Sequence, residues 1–86
     1  MKEKLIASLQ IACEPGLPLS LRYYLLEEVR GNGSLYGIKV VEETTRAAAV
    51  APGVTRDRQY ASELILRLAG ESVTPAGLAD VLAGLL

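Results

Sequence analysis

The segment Gly31-Asn32-Gly33-Ser34 places the strongest constraint on how this chain can fold. It joins residues 19–29 to residues 36–43, two runs in which apolar and polar side chains alternate as they do in strands with one buried face. Asn-Gly at the centre of a two-residue loop favours a type I′ turn, in which both central residues have positive φ. The sequence therefore predicts a β-hairpin with Asn32 and Gly33 at its tip.

A turn centred on Asn32 and Gly33 also sets the register of the two strands. It places Val29 opposite Tyr36, and Leu25 opposite Val40. In this register the more apolar residues of both strands share one face, so the turn chemistry and the hydrophobic pattern support the same hairpin. We expect that face to form the core, and it carries Leu21, Tyr23, Leu25, Tyr36, Ile38 and Val40.

Two further segments extend this hairpin on either side. Residues 5–13 alternate with a period of two and predict a strand before it. A three-residue loop over Glu14 to Gly16 is preferred to a two-residue Pro15-Gly16 loop, because it puts Leu5, Leu9 and Ile11 on the face of Tyr23. Residues 46–51, one arginine followed by alanines and a valine, fit either a short fourth strand or a connecting loop.

Two helices are predicted after the sheet. The first runs from Arg56 to Ala69 with Thr55 as its N-cap and Gly70 just beyond its end. The second follows the N-cap Thr74, with Pro75 in the first helical position, where the missing N–H costs nothing. Their apolar stripes should pack on the sheet; they consist of Tyr60, Ala61, Leu64, Ile65 and Leu68 in the first helix and of Leu78, Val81, Leu82 and Leu85 in the second.

The predicted architecture is a single α+β domain over residues 1–86. It is a three-stranded antiparallel β-meander, with residues 46–51 as a candidate short fourth strand, followed by two C-terminal helices packed on one sheet face. Half of the residues are hydrophobic, but there is no Phe and no Trp. A core of small aliphatic side chains in so short a chain is thin, and association with a second copy is one way to support it.

The residue types that most enzymes use are scarce. The chain has no histidine, and therefore lacks the commonest general base and metal ligand. Its one cysteine, Cys13, has no histidine to activate it and is interpreted as a small hydrophobe at a strand end. In the predicted register the carboxylates that share a face lie several residues apart, which favours solvated charges over an acid–base pair; they are Glu27, Glu28, Glu42 and Glu43. We predict no enzymatic activity, no metal, no cofactor and no small-molecule substrate.

Charge and cysteine content bear on location and partners. One thiol cannot form an internal disulfide, and no stretch of sequence is long enough to span a membrane, so we expect a cytoplasmic protein with no membrane association. Nine basic and ten acidic side chains give a net charge of −1, which disfavours nucleic acid as a partner. Arg56 and Arg58 nevertheless mark a candidate anion-binding site, because arginines flanking a helix N-terminus attract phosphate or carboxylate groups.

Two surfaces are candidate protein interfaces. Tyr24, Leu26 and Val41 give an apolar character to the sheet face that the helices leave uncovered, and such a face is normally polar. In the last helix, Gly77 and Gly84 lie seven residues apart and therefore on one side, where small residues let another backbone approach closely.

These surfaces favour a non-enzymatic interaction module, either a homodimer or bound to a protein partner. A nucleic-acid- or anion-binding module that uses the arginines near the first helix is the alternative.

Four short segments taken together indicate a family. They are Tyr23 to Glu28, Tyr36 to Val40, Asp57-Arg58 with Ala61 and Leu64, and Val73 to Pro75 with Leu78, Asp80 and Val81. Between Leu21 and Leu82 the chain resembles a family of short uncharacterised bacterial proteins, mostly from Firmicutes. The shared motifs are structural: a hairpin, a helix start and a capped final helix. The family is of unknown function, so the resemblance implies no catalytic or ligand-binding residue.

Overall fold

The computed structural model describes residues 2–11 and 19–85 of the chain. Four strands form one antiparallel sheet in the order β1-β2-β3-β4. They are β1 (Lys2–Ile11), β2 (Leu19–Arg30), β3 (Gly33–Glu42) and β4 (Ala47–Thr55). Helix α1 (Arg58–Gly70) follows, and a 3₁₀ turn at Pro75–Gly77 leads into α2 (Leu78–Leu85). The predicted α+β class, antiparallel meander and pair of C-terminal helices are confirmed, and the candidate fourth strand is a full one.

The predicted register of the central hairpin is wrong by two residues. Gly31 and Asn32 form the turn, and Arg30 lies opposite Gly33. Gly31 has a φ of 55° while Asn32 does not have positive φ, which is the pattern of a type II′ turn with glycine first. A shift of two leaves every side chain on its predicted face, so Tyr23 still shares the core face with Val40.

Strand β1 has a bulge that the alternation in the sequence does not reveal. Leu9 and Ile11 lie opposite Leu21 and Leu19 on the core face, as predicted, but the register shifts between Leu5 and Ala7. The extra residue turns Leu5 to the opposite face, where it lies beside Tyr24 and is 46% exposed. The prediction that Leu5 faces the core is therefore wrong. Cys13 and the predicted Glu14 to Gly16 loop lie outside the described residues.

Strand β4 pairs with β3 through an irregularity opposite Gly37. Ile38 lies opposite Ala51 and Tyr36 opposite Thr55, so the β4 side of this interval holds the extra residues. A Cβ on Gly37 would lie 2.5 Å from the carbonyl oxygen of Ala51 and 2.9 Å from the Cα of Pro52. This close approach requires glycine at position 37.

Helix α1 begins later than predicted because β4 continues through Thr55. The N-cap is Asp57, not Thr55: its Oδ1 accepts hydrogen bonds from the backbone N–H of Gln59 at 2.9 Å and of Tyr60 at 3.2 Å. The helix also ends later, since it includes Gly70, and the residue with left-handed backbone is Ser72, with a φ of 54°.

One hydrophobic core lies between a single face of the sheet and the helices. Helix α1 crosses all four strands, and Leu78 and Leu82 join the same cluster. The predicted stripe residue Tyr60 is 39% exposed and lies outside it. The core consists of Leu21, Tyr23, Leu25, Ile38, Val40, Ala61, Leu64, Ile65, Leu68, Ala69, Val73, Leu78 and Leu82.

Candidate functional site

In the described part of the chain, both helices pack on one face of the sheet, and the opposite face carries the predicted interface residues of the strands. Strict alternation brings Tyr24, Leu26 and Val41 to this face, as the sequence predicts. Tyr24 and Val41 are half-buried, while Leu26 is only 3% exposed. Leu26 therefore offers a partner almost no surface.

An ion pair lies across β2 on the same face as Leu26. The Nζ of Lys39 on β3 lies 2.8 Å from the Oε1 of Glu3 on β1, so the pair spans the intervening strand β2. Glu3 lies directly opposite Leu26 in the register, and the Lys39 ammonium also lies 5.7 Å from the centre of the Tyr24 ring. This half of the uncovered face is closed by polar contacts.

A second ion pair lies on the same face. The Nε of Arg22 is 2.6 Å from Oε1 of Glu43, and the Ser20 hydroxyl donates to the other oxygen of Glu43 at 3.4 Å. The pKa of Arg22 is raised by a hydrogen bond with the Tyr24 side chain and by the negative charge of Glu43. Sequence reasoning missed the ion pair between Lys39 and Glu3, because finding it requires the register of three adjacent strands.

The other half of this face is apolar and open. Val41 lies opposite Ala48, and Lys39 opposite Val50, which is 52% exposed. We call Val41, Ala48 and Val50 the β4 strip. It borders the free edge of the sheet, since β4 is the last strand.

The two edges of the sheet differ in chemistry. Residues 47–51 of β4 contain only alanine and valine, and three of the five, Ala47, Ala48 and Val50, are exposed. Strand β1, the other edge, begins Lys2-Glu3-Lys4 and has its bulge between Leu5 and Ala7. Charges and bulges are the usual means by which an edge strand resists pairing. They occur at the start of β1, whereas in β4 the irregularity and Pro52 lie beyond residues 47–51, which carry neither.

The two candidate interface glycines, Gly77 and Gly84, do not lie on one side of a single helix. Gly77 belongs to the preceding 3₁₀ turn and is half-buried. Gly84 is in α2, is exposed, and has no atom within 4 Å of the position its Cβ would take. Around it Ala79, Asp80 and Ala83 are also exposed. The open side of α2 is thus small and nearly uncharged.

The start of α1 is not a free anion site, because the carboxylate of Asp57 already accepts from its first N–H groups. Arg56 precedes the helix and is exposed. Arg58 instead lines a groove of about 230 Å³, together with Lys2, Glu3, Lys4, Leu25 and Glu27. Among the described residues no carboxylate forms an ion pair with Lys2, Lys4 or Arg58. Of the two arginines predicted to form an anion site, only Arg58 lines this groove, together with two lysines.

The carboxylates named from the sequence take part in structural contacts. Glu27 accepts hydrogen bonds from the hydroxyls of Ser34 at 3.1 Å and Tyr36 at 3.4 Å. Glu28 pairs with Arg30 at 3.0 Å.

Glu42, which is 4% exposed, closes the turn between β3 and β4. It accepts from the backbone N–H of Thr44 at 3.0 Å, from that of Thr45 at 2.8 Å, and from the Thr45 hydroxyl. The hydrogen bond from the Thr45 hydroxyl lowers the pKa of Glu42, and the backbone N–H groups of Thr45 and Thr44 lower it further. Burial acts in the opposite direction and is outweighed.

The described residues contain neither a metal-binding cluster nor a helix able to span a membrane. No group of three or more His, Cys, Asp or Glu side chains in them is arranged to hold a metal ion. Neither helix there has the length and apolar character needed to cross a bilayer.

A family model for a family of unknown function, DUF6514, matches residues 2–86. The chain belongs to the DUF6514 family. The match spans all four strands and both helices of this DUF6514 chain, and it confirms the expected membership of a family without assigned function. No curated protein and no solved structure matches the chain.

Proposed function

We propose that this DUF6514 chain is a non-enzymatic protein-interaction module that self-associates. The observation that carries the proposal is the β4 strip, an exposed apolar surface beside an uncharged sheet edge. Exposed apolar groups at such a position favour contact with another apolar surface, because burying them removes them from water.

The polar groups of the chain support a structural rather than catalytic reading. Glu27 and Glu42 accept hydrogen bonds from hydroxyl or backbone groups near the ends of β3, which favours structural roles for both carboxylates. A cytoplasmic location and the bacterial origin implied by the resemblance form part of the same proposal.

Solution mass tests self-association directly. Light scattering or sedimentation equilibrium from micromolar to millimolar concentration should give twice the chain mass of 9.2 kDa. A chain that stays monomeric throughout this range contradicts the proposal.

The groove around Arg58 favours a second candidate function, binding of an anionic ligand or nucleic acid. Lys2, Lys4 and Arg58 bring three positive charges to one groove, although Glu3 and Glu27 line it as well. Binding of this kind weakens steeply as salt rises. Retention on single-stranded RNA or on a phosphate resin at low salt, lost on Lys4→Gln with Arg58→Gln, would support it. No retention at low salt discards it.

A further inference from the structure

We propose that two copies of the chain associate by antiparallel pairing of their β4 strands, which joins two four-stranded sheets into one of eight strands. The inference rests on the self-association proposed above and names the partner and the segment that makes the contact. The segment is residues 47–51, which follow the turn after Glu42 and precede the irregular stretch at Pro52 and Gly53.

Backbone chemistry favours a strand as the occupant of this edge. Strand β4 pairs with β3 on one side only, so alternate N–H and C=O groups along its other side point away from the sheet. Those groups are regularly spaced, so the N–H and C=O groups of another extended backbone match them and form hydrogen bonds along the whole segment. A helix or an irregular loop cannot match that spacing.

The composition of the edge favours a second copy as that strand. A two-fold contact brings a patch against its own copy, so a net charge in that patch would be repelled by the same net charge. Residues 47–51 contain none.

When the pairing is centred on Ala49, its flanking charges are also far apart. Each Arg46 directly precedes the paired segment, one at either end of it, and the two Arg46 positions are about 20 Å apart at ~3.4 Å per residue. That distance exceeds the screening length of about 8 Å at physiological salt.

The same centre makes the side chains complementary. Ala48 of each copy lies opposite Val50 of the other, on the face that carries the β4 strip, and Ala47 lies opposite Ala51 on the core face. Directly opposed side chains in an antiparallel pair have Cβ atoms roughly 4.5–5.5 Å apart. The two β4 strips therefore merge into one apolar surface that crosses the junction.

Charged substitutions at the junction test the pairing. A variant with Ala48→Lys and Val50→Lys places lysines opposite each other at both cross-strand positions and should be monomeric where the wild type is dimeric. The variant with Ala48→Glu and Val50→Glu should also be monomeric. Mixed in equal amounts, the two should form a heterodimer of the original mass. Circular dichroism of each variant tests whether it is folded.

A matched control uses Leu5→Lys, an exposed apolar residue on the same face beside the protected edge. It should remain dimeric. A wild-type dimer that persists in both doubly charged variants, or two monomeric variants that do not combine on mixing, overturns the β4 pairing and leaves self-association standing. A wild type that is monomeric at all concentrations overturns both proposals.

Discussion

At the scale of single residues, Tyr23 connects the sheet to the segment between the helices. Its ring is fully buried in the core, and its hydroxyl donates a 2.8 Å hydrogen bond to the carbonyl oxygen of Val73. Val73 in turn donates from its N–H to the carbonyl of Leu68 at the end of α1. One phenol therefore fixes how the C-terminal segment leaves α1 and returns over the core.

Replacement of Tyr23 by Phe should destabilise the chain by about 1–2 kcal/mol, because the buried carbonyl of Val73 loses its partner. Urea unfolding measures the change, and Tyr60→Phe at an exposed position should change the free energy of unfolding by less than about 0.5 kcal/mol.

Burial also raises the pKa of Tyr23. The folded state then holds this proton more tightly than the unfolded state, so stability falls as pH rises above about 10. In Tyr23→Phe this part of the alkaline loss should vanish.

Glu42 predicts an opposite pH dependence. Its pKa is lowered in the folded state, so its contribution is complete above the unfolded value of about 4.3 and disappears as pH falls through the folded value. Glu42→Gln should therefore be less stable than the wild type at neutral pH, and the difference should shrink in acid. Unfolding curves at neutral pH and at about pH 3 test this. An equal difference at both pH values would show that the carboxylate charge is not what stabilises the turn.

At the scale of elements, the irregular pairing of β3 with β4 depends on a position without a side chain. Gly37→Ala puts a methyl group against the backbone of Ala51 and Pro52, where neither neighbour can move as a side chain would. We expect a loss of roughly 1–3 kcal/mol, the usual cost of overpacking. Gly33→Ala is the matched control: nothing lies within 4 Å of its Cβ position, so it should be neutral or slightly stabilising in the same urea titration.

The elements were predictable where the pattern is long and repeated. The hairpin faces were predicted correctly despite the wrong turn, because an error of two residues preserves the alternation. The error itself arose because both Gly31 and Gly33 suit a turn, and only Gly31 sits where a type II′ loop needs it. In the same way, Thr55 and Asp57 are both good N-caps, and the choice depends on how far β4 extends.

At the scale of the whole molecule, association should appear as stability that depends on concentration. A partner that binds only the folded chain raises its apparent stability by mass action. The midpoint of thermal unfolding should therefore rise by a few degrees for each tenfold increase in protein concentration, and should stay constant for the variant with Ala48→Lys and Val50→Lys. A constant midpoint in the wild type would show that the fold needs no support from a second copy.

The candidate site was only partly accessible to sequence reasoning. Tyr24 and Val41 follow from alternation alone. The other two residues of the β4 strip, Ala48 and Val50, do not, because residues 46–51 fit a loop equally well until β3 supplies a partner. The ion pair between Lys39 and Glu3 was also out of reach. The bulge in β1 sets which face Glu3 occupies, and no periodicity in the sequence shows that bulge.

The unequal edges of the sheet determine how large an assembly can grow. A protein with two receptive edges adds copies without end and builds a filament. In the proposed dimer the two β4 edges pair with each other, and the charged, bulged start of β1 disfavours pairing at both outer edges. The proposed pairing therefore predicts an assembly that stops at two copies and does not grow into a filament.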